Sequence, residues 1–325
     1  EGGIISVDTV EEVVEASSNE ALLTEIGEYA FAGTKIAKFV TNGGAFTTDA
    51  NGAILLNDKE VVLVAPMYVS PVMTLESATS IGTGAFTGKT NISKIIANNV
   101  KVINDYAFAD CSGLKEVQFN SLETIGAYAF SGCSQISEVV IQQTTTTIGE
   151  RAYAQCSNIS KVSFADGANV AFGSFVFEGC QKLSTISLPS TITVFDGSVF
   201  AGCNFISEII VSADNPALSS VDGILYDKNQ TTVLYCPKEK VVDMTTLPET
   251  VTKIGTAAFQ ANPYITTLVI PARITEIGEV AFENCVNLTS VVFEGTNVAI
   301  GNSAFANCTS LTTVTLPSDL SALYI

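Results

Sequence analysis

The sequence predicts an α/β repeat solenoid, and three observations predict it. The first is a motif, Ile125-Gly126-x-x-Ala129-Phe130-x-x-Cys133-x-x-Ile136-x-x-Val139-x-Ile141, that recurs with conservative swaps from Ile26 to Leu316. The second is its spacing. The anchoring aromatic falls at Phe31, Phe86, Phe108, Phe130, Tyr153, Phe177, Phe200, Phe259, Phe282 and Phe305, at steps of 22–24 residues with two steps of more than double length. A fixed period of this size marks units that bury their apolar faces only against their neighbours. The third is a column of cysteines, each three residues after the aromatic: Cys111, Cys133, Cys156, Cys180, Cys203, Cys285 and Cys308. A small, weakly polar side chain at one repeat position behaves as a buried hydrophobe, so these read as free thiols and not as disulfides. Thr34, Lys89 and Asn262 fill the same position in other units.

Residues 1–25 do not carry the repeat. Ile4 to Val7 suit a short strand, and Thr9-x-x-Glu12 resembles a capping box ahead of Val10, Val13 and Val14 at helical spacing. A solenoid needs its first apolar face covered, so residues 1–25 are expected to be an N-terminal cap and residues 26–325 one continuous solenoid domain. Within a repeat, Leu114-x-x-Val117-x-Phe119 and its equivalents alternate with period two and suit a short strand. Pro189, Pro271 and Pro317 end several of these strands because proline cannot continue a ladder. A second strand-like arm follows, as in Val251 to Ile254. Its closing glycine (82, 126, 149, 255, 278 and 301 among others) is expected to allow a tight corner. The A-F-x-x-C segment then reads as one helical turn.

Two matching insertions fill the long steps, at about 52–66 and 223–237. Each reads as a β-hairpin, two apolar runs around a polar turn, Asn57-Asp58-Lys59 in one and Asp227-Lys228-Asn229-Gln230 in the other. The chain is expected to rejoin the repeat through strands at Met73-x-Leu75 and Val242-x-x-Thr245-x-Leu247, and to end partway through a thirteenth unit.

The combination I-G-x-x-A-F-x-x-C-x-x-L-x-x-V-x-L-P at this period, with D-G-I-L-Y-D-K at 222–228 and Y-C-P at 235–237, resembles the BspA-like leucine-rich repeats over about residues 22–323. Counting the returns gives about twelve stacked parallel strands, with short helical turns and two inserted β-hairpins, and the resemblance implies that they form a leucine-rich repeat solenoid. It also implies an exported protein, extracellular or at the cell surface, that adheres to a protein or glycan partner without catalysis. The chain opens at Glu1 with no signal-like stretch, which suits a mature form or a trimmed piece equally.

Composition agrees with a non-catalytic role. A chain with no histidine lacks the usual general base and any Ser/Cys-His pair, and its carboxylates scatter over variable repeat positions. Neither a dinucleotide fingerprint nor a phosphate loop is present, and no cofactor or metal site is expected. A net charge of −18 argues against nucleic acid and anionic lipid as partners. No apolar run reaches the ~20 residues of a transmembrane helix, and a monomer is expected.

Binding is then the function to locate. Between the two inward residues closing each strand sits one outward residue on the concave sheet: Val40, Ile96, Gln118, Val140, Ser163, Ser187, Ile210, Val269, Val292 and Thr315. A row so rich in β-branched apolar side chains suits a partner site. The same residues also follow from β-propensity alone, and both readings stand at this point. Asp227, Lys228, Asn229 and Gln230 of the second hairpin turn are the other candidates. A structural surface protein acting by self-association is the alternative function. Tyr29, Tyr106 and Tyr128, which precede the repeat alanine, read as packing.

Overall fold

A computed structural model describes residues 36, 46–48, 53–56, 60–64, 70–238, 240 and 243–316. The expected cap at 1–25, Val40, the first hairpin turn at 57–59 and the thirteenth unit lie outside these residues. The fold is a β-solenoid of the leucine-rich repeat type with almost no helix. The chain divides into two compact units, one of residues 1–136 and 144–153, the other of residues 137–143 and 154–325.

In the first unit, three ladders of backbone hydrogen bonds run along the stack. The main strands Val72–Thr74, Lys94–Ile96 and Glu116–Gln118 pair in parallel, with Met73, Ile95 and Val117 in one register column and Thr74, Ile96 and Gln118 in the next. The arm strands Ser80–Ile81, Val102–Ile103, Thr124–Ile125 and Thr147–Ile148 form a second parallel ladder, in which every isoleucine is buried. The third ladder is the A-F segment itself. Backbone N–H groups of Tyr106, Phe108 and Asp110 donate to the carbonyls of Ala127, Ala129 and Ser131 in the following repeat, at 2.9, 2.7 and 2.7 Å.

That third ladder replaces the expected helical turn. The residue before the repeat alanine and the second residue after the aromatic are both left-handed, as at Tyr106 (φ 56°) and Asp110 (φ 57°), or Tyr128 (φ 56°) and Gly132 (φ 75°). A left-handed residue every fourth position stops any i→i−4 ladder. It turns alternate N–H groups along the stack, where they find carbonyls of the next repeat. Each non-glycine left-handed residue costs roughly 1–2 kcal/mol, offset by these bonds between repeats. In the second unit only Gly197–Phe200 makes a true 3-10 turn at this place, capped by Asp196, whose carboxylate accepts from Ser198 N at 2.7 Å.

The core is a set of columns. Phe86, Phe108, Phe130 and Tyr153 stack at centroid spacings of 4.8, 5.0 and 5.1 Å, and Phe259, Phe282 and Phe305 at 5.1 and 5.2 Å in the second unit. All eight cysteines are free and buried. Those with the repeat spacing bond upstream: the Cys111 thiol donates to Phe86 O (3.0 Å), Cys203 to Phe177 O (3.0 Å), and Cys308 to Phe282 O (3.2 Å). The arm glycines have a different reason from the one expected. Gly126, Gly149, Gly278 and Gly301 are not left-handed. A Cβ on Gly126 would lie 2.6 Å from the backbone of Asn104 and Asp105, so close packing of successive arms requires glycine there.

Both insertions are larger than hairpins. Phe46–Thr48, Ala53–Leu56 and Glu60–Val64 form an antiparallel meander, as do Leu218–Val221, Ile224–Asp227 and Thr232–Tyr235. The last strand of each joins an arm ladder in parallel, Glu60–Val64 with Ser80–Ile81 and Thr232–Tyr235 with Lys253–Ile254. Tyr235 thereby packs edge-on against Phe200 at 5.8 Å and extends the aromatic column. Lys238, three residues on, sits at the cysteine spacing.

The two returns to the repeat differ. Val72–Thr74 is a strand, as expected. At 242–247 the chain makes a 3-10 helix over Met244–Thr246 in place of the expected strand. The Asp243 carboxylate accepts from Thr245 N at 2.9 Å, and Thr246 Oγ1 donates to Asp243 O at 2.7 Å. Such local bonds compete with sheet pairing.

Candidate interaction surface

The main strands of the second unit alternate exposed and buried side chains, so one residue near each strand's end faces solvent. Val140 is 62 % exposed, Ile210 45 % and Val269 38 %. Register places them in short rows. Val140 pairs with Ser163, Ser187 with Ile210, and Val269 with Val292 and then Thr315. Ser187 and Thr315 are exposed, while Ser163 and Val292 are half-buried. In the first unit, half-buried Ile96 pairs with exposed Gln118, whose Nε2 donates to Asn98 Oδ1 at 3.3 Å.

Charged residues pair across adjacent repeats, on the main strands in two cases and on the arm strands for Lys253 and Glu276. Lys94 Nζ meets Glu116 Oε1 at 2.6 Å, Lys161 Nζ meets Glu138 Oε2 at 3.9 Å, and Lys253 Nζ meets Glu276 Oε2 at 2.6 Å. Each pair joins residues that are cross-strand partners in adjacent repeats. Exposed pairs of this kind contribute little stability, about 0–1 kcal/mol each.

The second insertion packs beside the strand of Ile210. Ile209 N donates to Gly223 O at 3.0 Å, and Val211 N to Ser220 Oγ at 3.1 Å, so the insertion covers that strand's edge. Its turn is tied inward. The Asp227 carboxylate accepts from Thr231 N (2.6 Å), Thr231 Oγ1 (2.6 Å) and Thr232 N (2.8 Å). Lys228 Nζ donates to Asn215 O at 2.6 Å, and Thr250 Oγ1 to Gln230 O at 2.8 Å. Asp227, Lys228 and Gln230 thus staple the meander, leaving Asn229 as the exposed residue of the turn without such a structural bond to carry.

Two exposed aromatics escaped the sequence reading. Phe205 and Tyr264 each stand just before a main strand, in the repeats on either side of the insertion, and both are at least half exposed. The position is two residues after the cysteine column. Elsewhere it holds Ile36, Asn91, Gly113, Gln135, Asn158, Lys182, Asn287 and Ser310. Aligning the repeats column by column at this variable position exposes the signal, whereas the search for conserved spacing passes over it.

Chemically the described residues are quiet. Burial pushes the Cys285 thiol up to about 12 and the Cys236 thiol well above its usual value. A protonated, buried thiol is no nucleophile. Burial also pushes the Lys238 amine down to about 8, where its Nζ donates to Asn204 Oδ1 at 2.8 Å. Among the described residues no group of His, Cys, Asp or Glu could hold a metal ion, and no helix is long and apolar enough to cross a membrane.

The BspA type leucine rich repeat region matches the chain in 6 copies over residues 79–214 and 235–324. No curated protein matches it. Among solved structures, the chain is similar to the pneumococcal vaccine antigen PcpA, with a TM-score of 0.63 and 17% identity over 86% of this chain and 90% of that one. It is also similar to a leucine-rich cell surface protein from Faecalibacterium prausnitzii A2-165, with a TM-score of 0.58 and 20% identity over 86% and 88% of the two chains. A leucine-rich repeat protein from Eubacterium ventriosum ATCC 27560 gives 0.53 and 20% over 77% and 75%. At such identities the likeness is one of fold. The repeat match is the stronger finding: it spans well over half of the chain, which belongs to the BspA-type leucine-rich repeat family.

Proposed function

We propose that the protein is a non-enzymatic binding or adhesion protein of the cell surface or extracellular space, and that the outward strand residues engage a protein or glycan partner. The observation that carries the reading is the exposure of Val140, Ile210 and Val269 at outward positions of parallel strands. β-propensity accounts for branched residues in strands but gives no reason to leave large ones facing solvent. Surface location is supported by the family and by the Faecalibacterium cell surface protein with the same fold. The buried, protonated thiols and paired surface carboxylates support the absence of catalysis.

The test is Ile210→Asp, with melting and binding to immobilised extracellular-matrix proteins and mucin glycans measured together. Ile210 is exposed, so melting should stay within about 0.5 kcal/mol of wild type. Binding reduced tenfold, about 1.4 kcal/mol, supports the strip. Unchanged binding moves the site to the exposed aromatics Phe205 and Tyr264. A substitution that leaves all such binding intact in every variant overturns the reading.

A further inference from the structure

The position before the repeat alanine carries a second aromatic column on the surface of the first unit. Tyr106 and Tyr128 stack at 4.9 Å with their rings 7° from parallel. The next residue at this position is Arg151, whose guanidinium lies over the Tyr128 ring at 5.9 Å and whose Nη1 donates to Tyr128 Oη at 3.2 Å and pairs with Glu150. Arg151 therefore closes one end of the stack. The other end is Gly84, which holds the same repeat position and carries no side chain.

All four residues share one backbone conformation, with φ of 65° at Gly84, 56° at Tyr106, 56° at Tyr128 and 51° at Arg151. Their side chains project in register for that reason, and the gap at Gly84 is a missing rung in a continuous column. Tyr106 is 40 % exposed even though Tyr128 covers one of its faces. Thr87 Oγ1 donates to Tyr106 O at 2.8 Å, which holds the backbone beneath the ring in place.

One acidic group lies on the Gly84 side of the stack. Glu60 reaches past the intervening repeat, where Gly82 offers no side chain, and its Oε1 accepts from Asn104 Nδ2 at 3.4 Å. Asp105 is exposed beside Tyr106, with its carboxylate turned to the far side, where it accepts from Ala127 N at 2.7 Å. The whole chain carries −18, which draws cations toward its surface.

We propose that the uncovered face of Tyr106, in the notch left by Gly84, binds the guanidinium of an arginine side chain from a cationic partner. The stack already contains this interaction at its far end, made in cis by Arg151 on Tyr128. A guanidinium is flat, stacks on an aromatic face and is weakly hydrated, whereas an ammonium is a strongly hydrated point charge. This site is separate from the outward strand residues, so either can fail without the other.

The test is a titration of the full chain with Nα-acetyl-arginine methylamide, followed through the ring signals of Tyr106 in a carbon–proton correlation spectrum. The lysine analogue and methyl β-glucoside are run in parallel. Tyr106→Ala identifies the signals. Saturable shifts with the arginine probe, at least fivefold weaker with lysine (about 1 kcal/mol) and absent with the glucoside, are expected. Two variants place at position 84 residue types that already adopt this conformation elsewhere, at Arg151 and Ser303. Gly84→Arg should fill the notch from within and abolish the shifts, while Gly84→Ser should retain them. Equal response to arginine and lysine would reduce the site to bulk charge, and preference for the glucoside would make it a sugar platform. No shift with any probe, or shifts that survive Gly84→Arg, would also overturn the proposal.

Discussion

The thiol of Cys133 donates to the carbonyl oxygen of Phe108, 3.1 Å away and one repeat upstream. The same carbonyl accepts the backbone N–H of Cys111, so its two lone pairs are both used. Cysteine is thus more than a small hydrophobe in this column, because it closes a polar group that the turn would otherwise leave half-satisfied. Cys133→Ala should destabilise the protein by about 1–2 kcal/mol, read from urea melts at constant slope. Equal stability would mean the bond contributes nothing beyond packing.

The same burial predicts a redox result. A thiol reagent should find nearly no reactive cysteine in the native protein and all eight once it is unfolded without reductant. Pairing among the unfolded chains' thiols would contradict the hydrogen-bonded column.

Phe130 lies between Phe108 and Tyr153 in the aromatic stack and is fully buried. Phe130→Ala should leave a cavity costing about 3–5 kcal/mol. Denaturant melts within about 1 kcal/mol of wild type would contradict the stacking.

Glycine positions separate two physical requirements. Gly126→Ala drives a Cβ into the backbone of Asn104 and Asp105, whereas Gly88 (φ 71°) has nothing within 4 Å of its would-be Cβ. Gly88→Ala should cost only the left-handed preference, roughly 1–2 kcal/mol. Gly126→Ala should cost more, because backbone cannot yield as a side chain can. Thermal melts of the two variants give the ranking directly.

Lys238 predicts a pH dependence. Its amine is held near 8, down from 10.5, chiefly because burial penalises the charge. Between those values the unfolded chain binds the proton that the folded one has lost, so stability should rise with pH from about 8 to 10.5. At pH 7 both states are charged and the full penalty is present. Lys238→Met should therefore lose that rise and gain about 3 kcal/mol at pH 7, less the bond to Asn204. Parallel pH profiles for the two proteins would contradict the assignment.

The legible part of the fold was whatever repeats in the sequence. Phe108, Phe130, Cys111 and Cys133 announce their columns because each repeat must bury the same residue type against its neighbours. The outward positions of Val140, Ile210 and Val269 followed from period-two alternation for the same reason. Reading fails where one residue type serves two backbone states. Nothing in the side chains of Tyr106 and Val280 announces a left-handed backbone, and the bonds Tyr106 N to Ala127 O and Val280 N to Asn302 O to the next repeat accompany it.

By itself, then, the sequence determined the repeat, its register and the inward columns, because these rest on short-range pattern and on the burial of like against like. Tertiary structure decided the rest. It made three-stranded meanders of the insertions, since Thr232–Tyr235 needed an edge to pair with and Lys253–Ile254 supplied one. It turned Met244–Thr246 into a 3-10 helix and tied Asp227 and Lys228 into a staple. It stacked Tyr128 on one face of Tyr106 and left Tyr106 40 % exposed. Each of these depends on which groups meet across the stack, and hydrogen bonds between repeats some 21–26 residues apart carry no local signature along the chain.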